Sequence, residues 1–224
     1  MASSINALEG LQAIVTGGTR GIGAAIVQVL RGAGCRVIPV ARSIEGDGFS
    51  CDVTSQPDVA RLAAEYEPDI LVNAAGAFGL GPVAETSVTS FDSMLATNLR
   101  GPFLLIRAML PRMLARSRGH IVSIGSIAGR QAFPGNGAYS ASKFGLRGLH
   151  AVLDVELKGT GVRASLVEPA ATDTPLWDAI DRAGNPGLPE AGAMLQPQAV
   201  ADAVAYVLTR PVETHINYLG LERS

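Results

Sequence analysis

The sequence has little charge, little cysteine and no long apolar run. Charged residues make up 17% of the 224 against 47% hydrophobic, a balance that argues against disorder and supplies a sizeable core. Eighteen basic and twenty acidic side chains leave a formal charge of −2, with no basic block to follow phosphates, so nucleic acid is excluded as the main partner. The longest stretch without a charged residue, Ile70 to Ala84, spans 15 residues and is broken by Asn73, three glycines and Pro82. That is too short and too interrupted to cross a bilayer. The first nine residues show neither a positive n-region nor an apolar h-region, which predicts no secretory signal and a cytoplasmic protein. In that compartment Cys35 and Cys51 are expected to be reduced, small apolar core residues. Repeats, low-complexity tracts and Pro/Gly/Ser-rich linkers are also lacking, and the length suits one domain over residues 1–224.

What is there alternates. Short β-rich apolar runs near 11–16, 36–41, 49–51, 69–73, 119–124, 162–167 and 215–219 predict strands. Helix-period segments near 21–32, 56–65, 88–98, 101–116, 138–158 and 197–208 separate them. Strand and helix in alternation mean parallel strands joined by crossovers, here an α/β doubly wound, seven-stranded parallel sheet with helices on both faces. Only nine residues lie between Arg42 and Asp52, whereas a helical crossover takes about a dozen or more, so the helix between the second and third strands should be missing. The segments 101–116 and 138–158 are apolar nearly all round, through Phe103, Leu104, Leu105, Ile106, Met109, Leu110, Met113 and Leu114 in one and Phe144, Leu146, Leu149, Val152, Leu153, Val155 and Leu157 in the other. Outer helices of a sheet keep one polar face, so these two are expected to join copies of the chain as a homo-oligomer, dimer or tetramer.

The first strand ends in Thr16-Gly17-Gly18-Thr19-Arg20-Gly21-Ile22-Gly23 and opens into a helix. Glycines let the turn tighten and its backbone approach a pyrophosphate, while the N–H groups at the helix start favour an anion. No Gly-Lys-Ser/Thr follows, which excludes a P-loop. Asn73-Ala74-Ala75-Gly76 closes the fourth strand with small residues suited to close backbone packing. Further on, Tyr139 and Lys143 stand four apart at the start of a long helix and project from one face. An ammonium beside a phenol favours the phenolate, which would make the pair a proton donor at neutral pH. Ser126, thirteen residues earlier and just past a strand, would present its hydroxyl to a substrate oxygen at the sheet's C-terminal edge.

Taken together, the Thr-Gly-x-x-x-Gly-x-Gly turn, Asn73-Ala74-Ala75-Gly76, Asn98, Ser126 and Tyr139-x-x-x-Lys143 resemble the short-chain dehydrogenase/reductase family in its single-domain branch, over nearly the whole chain. The resemblance implies a Rossmann-like fold, with Tyr139 as general acid/base and Ser126 bonded to the carbonyl or alcohol oxygen. It implies that Lys143 binds the nicotinamide ribose and lowers the Tyr139 pKa, and that Asn98 holds a water leading from Lys143 to solvent. Pro169-Ala170-Ala171-Thr172-Asp173-Thr174 looks like the family's segment against the nicotinamide carboxamide, with Ala170 replacing the usual glycine; Thr172 could instead cap a helix. Asp52-Val53 resembles the adenine-binding pair.

The second strand ends Val40-Ala41-Arg42-Ser43, without the carboxylate that binds the ribose 2′-OH of NAD. A guanidinium there matches a 2′-phosphate, and by the resemblance Arg20 points to the same place, so the expected cofactor is NADP, with no metal. The site would then comprise Asn98, Ser126, Tyr139 and Lys143 for catalysis. Cofactor contacts would come from Gly17, Thr19, Arg20, Gly21, Ile22 and Gly23 in the turn. Arg42, Asp52, Val53, Asn73, Ala74 and Gly76 would add theirs from the strand ends, and Pro169, Thr172 and Thr174 from the last crossover. A mostly apolar lid from Pro175 to Ile180, continued by Gly184 to Pro189, points to a small or medium, largely uncharged ketone or alcohol as substrate, with Trp177 either a pocket wall or a packed lid residue. Two other readings stay open: a 3-oxoacyl-carrier reductase, for which Arg112, Arg116 and Arg118 are the one tight basic cluster, and a nicotinamide-sensing binding protein on the same fold.

Overall fold

The computed structural model describes residues 8–178, 180 and 187–224. Its sheet has seven parallel strands in the order β3-β2-β1-β4-β5-β6-β7. In chain order these are β1 (Gln12–Thr16), β2 (Arg36–Ala41), β3 (Phe49–Ser50), β4 (Ile70–Asn73), β5 (Gly119–Ile124), β6 (Val162–Pro169) and β7 (Tyr218–Leu221). Among the described residues the α-helices are α1 (Gly21–Gly32), α2 (Gln56–Glu65), α3 (Val88–Leu95), α4 (Gly101–Ala115), α5 (Gly137–Glu156) and α6 (Pro197–Leu208).

Alternate strand residues feed two cores. Ile14, Ile38, Leu71 and Ile121 face one way and pack with Leu105, Met109 and Leu153 of α4 and α5. Ala13, Val15, Val37, Val72 and Val122 face the other way, against Ile26 and Leu30 of α1 and Val204 of α6. Because both faces are covered, the strands read as continuous apolar runs rather than as alternation. Helix starts are marked locally: Ser55 caps α2 by accepting from the Asp58 N–H at 3.3 Å, and Ser87 caps α3 from the Ser90 N–H at 3.1 Å. Cys35 and Cys51 are buried and unpaired, and burial pushes both thiols up to about 11.

Between β2 and β3 the chain crosses in residues 42–48 without a helix, as the residue count predicts. Such a short crossover suffices because the two strands pair over only Val40↔Phe49 and Ala41↔Ser50. Several boundaries differ from the sequence reading. The expected helices 88–98 and 101–116 are one continuous helix, bridged by a π-helical turn at Ala96–Arg100. Pro102, near the head of α4, has no N–H to give the Asn98 carbonyl, so the ordinary ladder cannot run through this point. The last strand starts at Tyr218 rather than 215, because His215 meets the Ala164 carbonyl through its ring at 2.8 Å instead of joining the ladder. At β6 the strand continues past 167 to Pro169.

Two histidines are locked in this frame. His120 on β5 bonds Ser165 at 2.8 Å, and His150 on α5 bonds Ser123 at 2.7 Å, where Asn73 also donates at 3.1 Å. Burial pushes His120 down to about 3 and His150 down to about 4, so both are neutral in the folded state. Unfolding frees them to take up protons below pH 6.5, and the stability they confer is therefore present above 6.5 and lost as pH falls toward 4. His150→Gln is expected to reduce the loss of unfolding free energy between pH 7 and 4.5 by about 2 kcal/mol. Denaturant titrations at the two pH values measure this, and a loss equal to that of the unmodified chain would refute it.

Candidate active site

All strands point the same way, so their C-terminal ends form one edge, and the order reverses between β1 and β4, where neighbouring crossovers leave on opposite faces. Thr16 ties these two ends together: its hydroxyl accepts from the Ala74 and Ala75 N–H groups at 3.1 and 3.2 Å. The glycine turn lies on top. Gly17 has φ +67°, and a methyl on Gly23 would lie 2.1 Å from the Gly17 carbonyl oxygen, so only bare backbone closes this turn. Thr174 reaches the same place from the far side of the site, its Cβ 3.2 Å from where a side chain on Gly21 would begin.

Ser126, Tyr139 and Lys143 come together at the end of β5. Ser126 starts a 3₁₀ turn, Ile127–Gly129, and accepts from the Ala128 N–H at 3.1 Å. The same hydroxyl pulls on the phenol of the half-buried Tyr139. Lys143, one helical turn beyond Tyr139, is buried; its Nζ donates to the Ile124 carbonyl at 2.9 Å and lies 5.5 Å from the centre of the tyrosine ring. Burial pushes the phenol up to about 12 against the pull of Ser126, and pushes Lys143 down to about 8 against the attraction of Glu168. In this arrangement desolvation sets the Tyr139 phenol, and the Lys143 ammonium is turned toward the Ile124 carbonyl. Asn98, fully buried in the π turn, donates to Ala77 O at 2.8 Å and Ser142 Oγ at 3.0 Å and accepts from the Ala77 N–H at 2.8 Å. Its side-chain amide is thereby committed to protein partners.

Other expected residues fall along the same edge in different states. Thr19, Arg20, Arg42 and Gly76 are exposed, with Ala74 and Ile22 half-buried beside them. Asp52 accepts from the Thr54 N–H and hydroxyl, both at 2.8 Å, and these bonds together with Arg42 hold its carboxyl below the usual range. Val53 is buried as core. Asn73 points inward to Ser123, which leaves the main chain of Ala74 to Gly76 as the exposed surface of this motif. After Pro169, Thr172 bonds the Ala170 carbonyl at 3.0 Å, and the cap is Thr174, which accepts from the Leu176 N–H at 3.4 Å to start the 3₁₀ turn Pro175–Trp177. Of the expected lid, Ala179 and residues 181–186 lie outside the described residues.

Sequence reasoning missed two neighbours. Phe78, two residues past Gly76, packs edge-on against Tyr139 and Trp177, with ring centres 4.9 Å apart in each case. Trp177 donates from its indole to the Thr172 carbonyl at 3.0 Å, so it is anchored beside the tyrosine as an apolar wall. Glu168, wholly buried on β6, was signalled only by a lone carboxylate in the run Arg163 to Pro169. The arginine cluster lies elsewhere. Arg112, Arg116 and Arg118 lie at the opposite edge of the sheet, paired with Glu67 and Asp69, because α4 runs antiparallel to the strands and ends where β5 begins.

A seven-stranded, doubly wound parallel sheet with a glycine turn at its switch point defines the Rossmann-like class of fold. The short chain dehydrogenase family matches residues 12–184. The chain is 36% identical to D-threitol dehydrogenase of Mycolicibacterium smegmatis, over 89% of this chain and 86% of that one. It is 32% identical to an uncharacterized oxidoreductase of Staphylococcus haemolyticus, over 94% and 96%. Among solved structures it is similar to a metagenomic short-chain oxidoreductase in complex with NADP, with TM-score 0.81, 32% identity, and 97% and 99% of the two chains covered. It is also similar to the closed form of serine dehydrogenase complexed with NADP+, with TM-score 0.85, 32% identity and 94% of each covered. The protein belongs to the short-chain dehydrogenase family and is an oxidoreductase.

Proposed function

We propose that this chain, as one domain, transfers a hydride between NADP(H) and a small or medium, largely uncharged ketone or alcohol, with Tyr139 as general acid/base. The observation that carries this reading is the meeting of Ser126, Tyr139 and the buried Lys143, whose Nζ lies 5.5 Å from the tyrosine ring, at the edge shared with the glycine turn. The residues present fit a phosphorylated dinucleotide. The glycine turn closes on bare backbone at the start of α1, where helix N–H groups favour a phosphate, and Arg20 and Arg42 are exposed, with no hydrogen bond from either guanidinium among the described residues. The two NADP-bound neighbours support the same cofactor. When bound, the cofactor supplies the hydride.

The chain's own residues handle the proton. With its phenol pushed up to about 12, Tyr139 stays protonated through the neutral range and enters ketone reduction as a donor, while Ser126 orients the same oxygen. Lys143 carries its charge below about pH 8 and stabilises the phenolate that forms. The water-holding role of Asn98 would fall to its main-chain carbonyl, which Pro102 leaves without its α-helical donor. Phe78 and Trp177 favour an apolar substituent beside the reacting carbon. A 3-oxoacyl-carrier substrate loses its main support, since the arginine cluster lies away from the site, and a purely sensing role would not need the four residues kept here.

We further read the chain as a homo-oligomer. Phe103 and Leu114 on α4 and Phe144, Val152 and Val155 on α5 are exposed, while Leu105, Met109, Leu146 and Leu153 of the same helices fill the core.

In an assay of NADPH oxidation with a panel of ketones, aldehydes and a 3-oxoacyl thioester, Tyr139→Phe should lose at least about 100-fold in kcat. Reductive kcat/KM should fall as pH rises past about 8, where Lys143 discharges. Turnover that survives Tyr139→Phe would remove the tyrosine from its role. Arg42→Asp should shift cofactor preference toward NADH, and an unchanged NADPH/NADH ratio would sink the NADP reading. Light scattering should give at least a dimer for the unmodified chain and a smaller species for Phe144→Glu/Val155→Glu; a monomeric parent would end the oligomer reading.

A further inference from the structure

Glu168 sits on β6 immediately before Pro169, with its side chain wholly buried. A carboxylate in an apolar interior is costly unless paired and hydrogen-bonded. One oxygen, Oε2, accepts from Arg147 Nη1 at 2.7 Å and lies 3.9 Å from Arg130 Nε. The other, Oε1, has no hydrogen-bond partner among the described residues. The serine loop is folded directly onto this group. A methyl on Gly125 would come within 2.7 Å of Glu168 Cγ, and one on Gly129 would lie 3.1 Å from Oε1 and 3.0 Å from the Lys143 carbonyl oxygen. Both ends of the segment that presents Ser126 therefore touch the carboxylate, and Arg147 is one helical turn beyond Lys143.

We propose that Glu168 is a positioning residue of the active site: it is the post on which the loop Gly125 to Gly129 rests and the negative charge that faces the Lys143 turn of α5. The charged and titratable groups around it are few. On α5 these are Tyr139, Lys143 and Arg147; behind Glu168 stands Arg130, which is paired with Glu222, and the Arg147 guanidinium lies 4.6 Å from the centre of the Tyr218 ring. Glu168 is the group whose attraction resists the loss of the Lys143 proton, which burial already brings down to about 8. Without the carboxylate, Lys143 would discharge inside the neutral range. This proposal rests on the reading of Lys143 as the charged partner of Tyr139.

Lys143 and Lys158 are the chain's two lysines, so a chain labelled with [ε-¹³C]lysine allows the Lys143 amine to be titrated by NMR beside an internal reference, independently of turnover. In Glu168→Gln and Glu168→Leu, the Lys143 titration should move at least about half a pH unit to the acid side, while Glu168→Asp, which keeps the charge, should leave it near the unmodified position. The alkaline limb of reductive kcat/KM should move the same way. Thermal melts identify which variants fold, and either neutral one suffices. A folded neutral variant in which the Lys143 titration does not move would overturn the proposal, whatever its activity. Tyr139→Phe with full turnover would overturn the acid/base reading instead and leave the Lys143 titration to decide the role of Glu168.

Discussion

The meeting of the C-terminal ends of β1 and β4 is the constraint on which the rest depends. Strand order reverses there, and the Thr16 hydroxyl holds the two ends together by accepting from two successive N–H groups of the chain that leaves β4. Parallel pairing on either side then brings every strand end to one edge. The glycine turn, the serine loop, the tyrosine helix and the segment after Pro169 are neighbours for that reason, although up to about 150 residues of sequence separate them.

Burial governs the chemistry at this edge. It raises the phenol of Tyr139 and depresses the amine of Lys143, so two groups whose ordinary values nearly coincide move apart. The lysine is kept from falling further by a carboxylate that is itself held by Arg147. A site assembled this way works by differences in solvation as much as by contact, which is why its charged groups are buried despite the cost.

Much of this was legible in the sequence. The missing crossover helix followed from counting residues between Arg42 and Asp52, since chain length limits what can be built. The turn, Ser126, Tyr139 and Lys143 were legible because local spacing sets which face of a helix or end of a strand a residue occupies. The π turn at Ala96–Arg100 was not, although Pro102 marked the place, because propensity favours an ordinary helix and the shift depends on what Asn98 bonds in the folded chain. Phe78 was invisible beside its glycines, since nothing local says that its ring lies against Tyr139. The cluster at Arg112, Arg116 and Arg118 was visible as a cluster, but its edge of the sheet was not.

The sequence by itself determined the parallel, doubly wound sheet and the glycine turn, because these rest on periodicity and short spacing, and its resemblance to the family singled out Ser126, Tyr139 and Lys143 as candidates. The tertiary structure alone decided the ionisation of Tyr139 and Lys143, the inward turn of Asn73 and Asn98, and the place of Glu168 beneath the serine loop. Each of these depends on what distant segments bring within a few ångströms, and on the water they exclude in doing so.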